Sequence, residues 1–129
     1  DQEDRSGRPF VGPAGEVLNE ALAAAGIIRG EVYLTNAVKH FRFVDRGGFR
    51  EHHRADVHHV NACRPWLAAE LACVNPAVVV CLGATAARAV LGPAFRFAAR
   101  RGEAVPTAGG ATAVATYHPV FLYEILWNL

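Results

Sequence analysis

The sequence predicts an α/β fold in three layers, α/β/α, around a central, mainly parallel sheet of four strands. Apolar runs that are too continuous for half-exposed strands, above all residues 77–82, alternate with segments whose apolar residues recur at helical spacing. Strands that alternate with helices favour parallel pairing. Several runs also end at glycine or polar residues, and ligands of open α/β sheets bind at such strand ends.

The first elements follow from local pattern. Residues 1–14 are polar and then punctuated by glycine and proline, which predicts an ordered loop that enters a helix. Apolar residues from Val17 to Ala25 have helical spacing, and Gly26 is placed as the C-cap. The run 31–35 is rich in strand formers, so we expect a buried strand that ends at Asn36.

The remaining elements are a long loop at 41–56 around Gly47 and Gly48, and a helix from Asp56 to Val74 that kinks or restarts near Pro65. A strand at 77–82, a short helix at 84–91, a strand at 112–116 and a helix at 120–128 follow. Residues 94–111 are predicted to be irregular, with a basic turn at 100–102.

Length and composition indicate one domain, residues 1–129, with 52% hydrophobic content and a net charge of +1. That charge gives no bulk basic signature of nucleic-acid binding, although arginines and histidines cluster at 39–59. No apolar run reaches the ~20 residues of a membrane span. Three cysteines cannot all pair, which favours a reducing, intracellular setting. Because the chain begins at Asp1, we expect a truncated domain.

Two residues stand at predicted strand ends. Asn36 offers an amide N–H and a carbonyl together, which suits the edge of a nucleobase, although a turn asparagine is the simpler interpretation of that stretch. His118 follows the strand at 112–116 and precedes Pro119, so it is delivered to the carboxyl edge of the sheet.

Five segments in fixed order resemble the iron–sulfur, family-4-like branch of the uracil-DNA glycosylase superfamily. They are GRPFVGPAG at 7–15, TNAVKHF at 35–41, ACRPWL at 62–67, CLGA at 81–84 and YHP at 117–119. The similarity is greatest to the UdgX type, which joins itself covalently to uracil-containing DNA. Two features favour that type: His40 stands where family-4 relatives have a cluster cysteine, and a basic loop separates it from the ACRPWL segment.

The resemblance implies a DNA repair enzyme that excises uracil, preferably from single-stranded DNA, and is then trapped covalently. Counting back from Ala62 places the nucleophilic histidine at His52, with His53 as the competing position. His118 is implied to donate a hydrogen bond to uracil O2 as the base leaves. Phe10 is implied to stack on the base, Asn36 to read its edge, and Asp4 to belong to the same substrate-binding set.

A 4Fe–4S cluster is the implied cofactor of the full-length protein, with His40 and Cys63 as half of its ligands. The family's first strand, catalytic loop and N-terminal Cys pair precede the position of Asp1, so the fragment is expected to lack a strand and to hold the cluster incompletely. After the position of His118 and Pro119, the family has small residues followed by leucines and an arginine. This chain has instead a segment that contains Glu124, whose negative charge would repel a phosphate.

Other interpretations stay open. A zinc site among His52, His53, His58 and His59 is disfavoured, because adjacent pairs diverge and no cysteine lies at finger spacing. A non-catalytic or ordinary turnover uracil-DNA-binding iron–sulfur protein is the main alternative. Cys73 and Cys81 are expected to be buried small hydrophobes. We further expect a monomer without membrane attachment, in the bacterial cytoplasm at the nucleoid.

Overall fold

A computed structural model describes residues 12–37, 42–46, 49–53 and 57–119. Its helices are α1 (Pro13–Ala24), α2 (Val57–Val74), α3 (Ala84–Leu91) and the short α4 (Phe97–Arg100), and a 3-10 turn spans Arg29–Glu31. Its strands are β1 (Arg42–Arg46), β2 (Phe49–His53), β3 (Val78–Leu82), β4 (Ala104–Pro106) and β5 (Thr112–Thr116). The α/β class predicted from the sequence is confirmed. The helix predicted at 120–128 lies outside the described residues.

The larger sheet has the strand order β3-β5-β4. β3 and β5 run parallel, as predicted, but β4 pairs antiparallel with β5. Within the described ranges the sheet therefore has three strands, which agrees with a four-stranded sheet that lacks one strand in this fragment, and its pairing is mixed where a mainly parallel sheet was predicted. β4 forms inside a stretch that was predicted to be irregular, because Val105 packs against the core.

The strand predicted at 31–35 is absent from both sheets of the described residues, which corrects the sequence analysis. Tyr33 in this segment is 58% exposed, and its hydroxyl donates a hydrogen bond of 2.6 Å to a carboxylate oxygen of Glu70 on α2. The segment therefore contacts a helix through its side chains, and the strand propensity of its residues is overridden by this tertiary context.

The segment predicted as a long loop at 41–56 contains a β-hairpin. β1 and β2 pair antiparallel, with Phe43 opposite His52 and Arg42 opposite His53. Two residues, Gly47 and Gly48, separate the strands, and a Gly-Gly pair between strand-like runs is a recognised hairpin signal. The prediction of a loop was wrong: charged residues are typical of a solvated loop, but here they belong to two paired strands.

The core lies between the larger sheet and α3. Its buried residues are Cys81, Ala87, Phe95, Ala113 and Ala115. The alanines on β5 and on α3 are small, so helix and sheet approach closely. On β3, Val78 and Val80 are 59% and 57% exposed, so one face of this strand is covered by α3 and the other is open.

The end of α1 and the course of α2 at Pro65 can both be compared with the sequence predictions. α1 ends as expected, because Gly26 adopts a φ of +74° and Ile27 N–H donates to Leu22 O at 2.8 Å, closing the C-terminal turn. α2 is one helix from Val57 to Val74 with Pro65 inside it, so a second helix does not start at this proline. No helix in the described part of the chain is both long and apolar enough to cross a membrane.

Candidate active site

The parallel pairing of β3 with β5 brings two chain segments to one edge of the sheet. Leu82 and Thr116, the last residues of the two strands, lie opposite each other, and Gly83 N–H donates to Thr116 O at 2.7 Å. Gly83 begins the turn into α3, while His118 follows β5 by two residues. This carboxyl edge is where open α/β sheets bind their ligands, so both residues lie where the sequence predicted a site.

Gly83 and His118 are in close contact. A Cβ atom added to Gly83 would lie 3.2 Å from the Cβ atom of His118. Gly83 has φ +95° and ψ 167°, a region of backbone conformation that only glycine adopts readily. The glycine of the CLGA segment thus provides both the turn and the space that the histidine occupies.

An open pocket of about 710 Å³ lies against this pair. Its lining combines His118 with aromatic rings and two arginines, Arg88 and Arg96. No carboxylate in the described residues forms an ion pair with either guanidinium. The pocket therefore combines positive charge with aromatic side chains, which suits an anionic or aromatic ligand such as a nucleotide.

Tyr117, next to His118, is held by two neighbours. The Phe97 ring meets its ring edge to face at a centroid distance of 6.0 Å. The Arg101 guanidinium lies 4.3 Å from the centroid of the Tyr117 ring, and its Nη1 donates a 2.6 Å hydrogen bond to the Tyr117 hydroxyl. Arg101 belongs to the turn predicted to be basic, but its stacking on Tyr117 was not predicted.

Asn36 is half-buried and lies in irregular backbone, not at the end of a strand. It is not among the residues that line the pocket at His118. The nearby Tyr33–Glu70 hydrogen bond ties its segment to α2. This bond is the main cause that raises the pKa of Tyr33, because the neutral hydroxyl is the donor and loss of its proton would place a second negative charge beside Glu70.

The other predicted site residues are described incompletely or not at all. Phe10, Asp4 and His40 lie outside the described residues. His52 and His53 belong to β2 and Cys63 to α2, and only their backbone positions are described. Within the described part of the chain, no group of three or more histidine, cysteine or acidic side chains could hold a metal ion.

Cys73 and Cys81 were both predicted to be buried. Cys81 is buried at 2% exposure, as expected for a residue of the central strands. Cys73 is exposed, so that prediction was wrong. It lies in the last turn of α2, where both flanking residues are exposed as well.

A histidine at the carboxyl edge of an α/β sheet, beside a basic pocket with aromatic side chains, is typical of α/β proteins that bind a ligand at this edge. The chain belongs to the Uracil DNA glycosylase superfamily, whose family model matches residues 1–124.

Curated relatives agree with this membership. The chain is 37% identical over 123 residues to a Type-4 uracil-DNA glycosylase of Thermotoga maritima. This match covers 95% of the chain and 60% of that relative. It is 38% identical over 101 residues to a Type-4 uracil-DNA glycosylase of Pyrobaculum aerophilum, and 40% identical over 86 residues to one of Archaeoglobus fulgidus. These matches cover 78% and 67% of the chain, and 48% and 40% of the two relatives. The chain thus spans between two fifths and three fifths of these relatives.

Proposed function

We propose that the full-length protein is a uracil-DNA glycosylase that cleaves the N-glycosidic bond of uracil in DNA. The observation that carries this proposal is the position of His118, next to Gly83 at the carboxyl edge of the sheet and open to the basic pocket. Membership of the superfamily and relatives named Type-4 uracil-DNA glycosylase support the same activity.

The reaction breaks the bond between C1′ of deoxyribose and N1 of uracil. The electron pair leaves on the base, positive charge develops on the sugar, and water adds hydroxide to C1′ while its proton is released. A donor that faces uracil O2 lowers the barrier because negative charge grows there in the transition state. We assign this donor to His118.

The base must be flipped out of the strand and recognised before it leaves. We assign Asn36 to the edge of uracil, where its amide N–H meets O4 and its carbonyl meets N3–H; cytosine presents the opposite order. Phe10 as the stacking surface and Asp4 as a further substrate contact complete the set, and both assignments rest on the resemblance to the superfamily. Single-stranded DNA is the preferred substrate, since flipping then costs no base pairs.

We further propose that the enzyme becomes covalently attached to the DNA through His52. A neutral imidazole of His52 would donate a nitrogen lone pair to C1′ as the base departs, forming a bond that water does not readily resolve. His52 lies opposite Phe43 in the hairpin, and His53 lies opposite Arg42. Successive positions of a strand alternate between its two faces, so we assign the nucleophile to only one of these two positions.

The cofactor is a 4Fe–4S cluster in the full-length protein, with His40 and Cys63 as two of its ligands. Thiolate and imidazole both ligate such irons, and the cluster supplies structural rigidity. The two other cysteines do not fit the role, because Cys81 is buried in the core and Cys73 is exposed at the end of α2. None of the steps above depends on the cluster.

The test uses the full-length protein and a single-stranded oligonucleotide that contains one uracil. Alkali cleaves the strand wherever uracil has been excised, and a denaturing gel separates free DNA from DNA that is covalently attached to protein. Strand cleavage by alkali supports glycosylase activity, and a shifted band that survives heat and detergent supports trapping. A protein that binds the oligonucleotide but produces neither would be a binding module.

The ordinary turnover enzyme is the second candidate, because the relatives reported above are named Type-4 uracil-DNA glycosylases. It predicts alkali-labile sites in excess over protein and no shifted band. The trapped enzyme instead produces at most one site for each protein molecule.

A further inference from the structure

The surface beside the His118 pocket carries cations that no carboxylate neutralises. Arg96 and Arg101 are exposed and Arg88 is half-buried, and none of them pairs with an acidic side chain in the part of the chain that the structure describes. Arg100, their neighbour, differs: its Nε donates to Glu103 Oε2 at 2.9 Å and its guanidinium lies over the Phe95 ring. The local charge is therefore strongly positive although the whole chain is near neutral.

Arg101 is also held in one orientation. Its contacts with the ring and the hydroxyl of Tyr117 fix the guanidinium, and the edge of Phe97 buttresses that ring. A guanidinium has five N–H donors, and one of them is used by the Tyr117 hydroxyl, so the others remain for an anion. An arginine oriented in advance loses less conformational entropy when it binds phosphate than a mobile side chain does.

We propose that Arg88, Arg96 and Arg101, with the Tyr117 ring that orients Arg101, form a binding surface for the phosphates of the DNA strand that flanks the target nucleotide. We call these four residues the flanking-strand surface. Charge complementarity identifies the ligand, because a DNA strand carries repeated negative charges that several guanidinium groups without acidic partners can neutralise. Tyr117 is adjacent to His118 in the chain, so a strand bound here would continue into the His118 pocket.

This inference rests on the proposed function, but its test does not require excision. The full-length protein is titrated with a fluorescent single-stranded oligonucleotide that lacks uracil, and the dissociation constant is measured over a series of salt concentrations. Each phosphate contact contributes about 0.7 to the slope of log affinity against log salt for single strands.

Arg101→Gln and Arg96→Gln should each weaken binding roughly three- to tenfold and lower the salt slope by about 0.7. Arg100→Gln is the matched control, because it removes one charge from the next residue, where Glu103 already neutralises it. This control should leave the slope within error of wild type. All three side chains are exposed, so the variants are expected to fold.

The excision assay adds an independent readout. Under single-turnover conditions on a uracil-containing oligonucleotide with long flanks, Arg101→Gln should raise the protein concentration that gives half of the maximal excision rate and leave the maximal rate unchanged. On a trinucleotide with few flanking phosphates it should match wild type. Equal slopes for wild type, Arg96→Gln and Arg101→Gln would overturn the inference, as would an equal loss in Arg100→Gln. A protein that binds with these slopes but excises no uracil would contradict the proposed function and leave the flanking-strand surface standing.

Discussion

Gly83 lies directly against His118, and a Cβ atom at position 83 would come within 3.2 Å of the histidine Cβ. The parallel register of β3 and β5 sets this approach, because Leu82 and Thr116 end the two strands side by side. Position 83 therefore requires glycine for two reasons: the backbone φ of +95° and the space that His118 occupies beside it.

Gly83→Ala should reduce uracil excision at least about tenfold, because the new methyl group pushes His118 by a few tenths of an ångström and transition-state donors tolerate little displacement. The strained backbone should also destabilise the fold by about 1–3 kcal/mol. Excision under single-turnover conditions and thermal denaturation measure the two effects.

Gly110→Ala is the matched control for this substitution. Gly110 has a similar φ of +93°, but nothing lies within 4 Å of a Cβ atom added there. It should lower the melting temperature and leave excision per folded molecule unchanged. If Gly110→Ala and Gly83→Ala lose activity equally, backbone strain explains the loss and the contact with His118 does not matter.

Asn36→Asp tests the assignment of the base-reading residue. An ionised carboxylate cannot donate to uracil O4 and would repel it, so excision should fall by about 10²-fold or more. Asn75→Asp adds the same charge at an exposed position before β3, at the opposite end of that strand from His118. It should behave as wild type. Unchanged single-turnover rates in Asn36→Asp would remove this residue from the site.

The two cysteines whose side chains are described, Cys73 and Cys81, should react very differently with iodoacetamide. Burial raises the pKa of the Cys81 thiol to about 11, whereas Cys73 is exposed at the end of α2. Near pH 8 the folded protein should be alkylated at Cys73, while Cys81 becomes reactive only when urea unfolds the chain. Peptide mapping by mass spectrometry distinguishes the sites, and rapid labelling of Cys81 without denaturant would contradict its place in the core.

The same raised pKa has a consequence for stability. The folded state holds the Cys81 proton more tightly than the unfolded chain, whose thiol titrates near the ordinary value of 9.0. The contribution of the protonated thiol is thus complete below that value and is lost as the pH rises towards about 11. Cys81→Ala should flatten this part of the pH dependence of the unfolding free energy.

Cys63→Ala tests the cluster assignment in the full-length protein. Removal of a thiolate ligand should bleach the broad visible absorbance of an iron–sulfur protein, reduce bound iron and lower the melting temperature. Cys73→Ala, which removes an exposed thiol at the end of the same helix, should retain all three properties. Wild-type iron content in Cys63→Ala would show that the ligand has been assigned to the wrong residue.

The strands and helix around His118 were predictable because their signals are local. The continuous apolar run of β3, the short helix after Gly83 and the strand before Tyr117 all lie where the sequence predicted them. Between β3 and β5 the chain passes through α3, α4 and β4, which is long enough for the crossover that a parallel pair requires. These elements carry His118 to the carboxyl edge of the sheet, so its place in the fold could be predicted from the sequence, whereas its close contact with Gly83 could not.

Other parts of the structure depend on contacts between residues far apart in the chain, which local sequence patterns do not predict. Residues 32–35 have strand propensity, yet Tyr33 bonds to Glu70 on a helix 37 positions later in the chain. The stacking of Arg101 on Tyr117 joins residues 16 positions apart, and no periodicity encodes it. The hairpin was predictable in principle from Gly47 and Gly48, but the surrounding charges made the segment resemble a solvated loop.

The hairpin register makes the choice between His52 and His53 testable. If His52 captures the sugar, His52→Ser should still break the glycosidic bond, because that step depends on stabilising the leaving base, which we assign to His118. The variant should release uracil, let water complete the reaction and turn over. The shifted band on a denaturing gel should disappear while alkali-labile sites accumulate beyond one per protein.

Two further variants separate the roles of the histidines. His118→Ala should slow bond breaking and adduct formation together, by about 10²-fold or more, since both follow the same departure of the base. His53→Ser should keep the adduct, because its position belongs to the other face of the hairpin. Loss of the band in His53→Ser but not in His52→Ser would move the nucleophile by one residue and invert the face of the hairpin that meets the sugar. Adduct formation by both serine variants would exclude the hairpin as the source of the nucleophile, because no other histidine lies on β1 or β2.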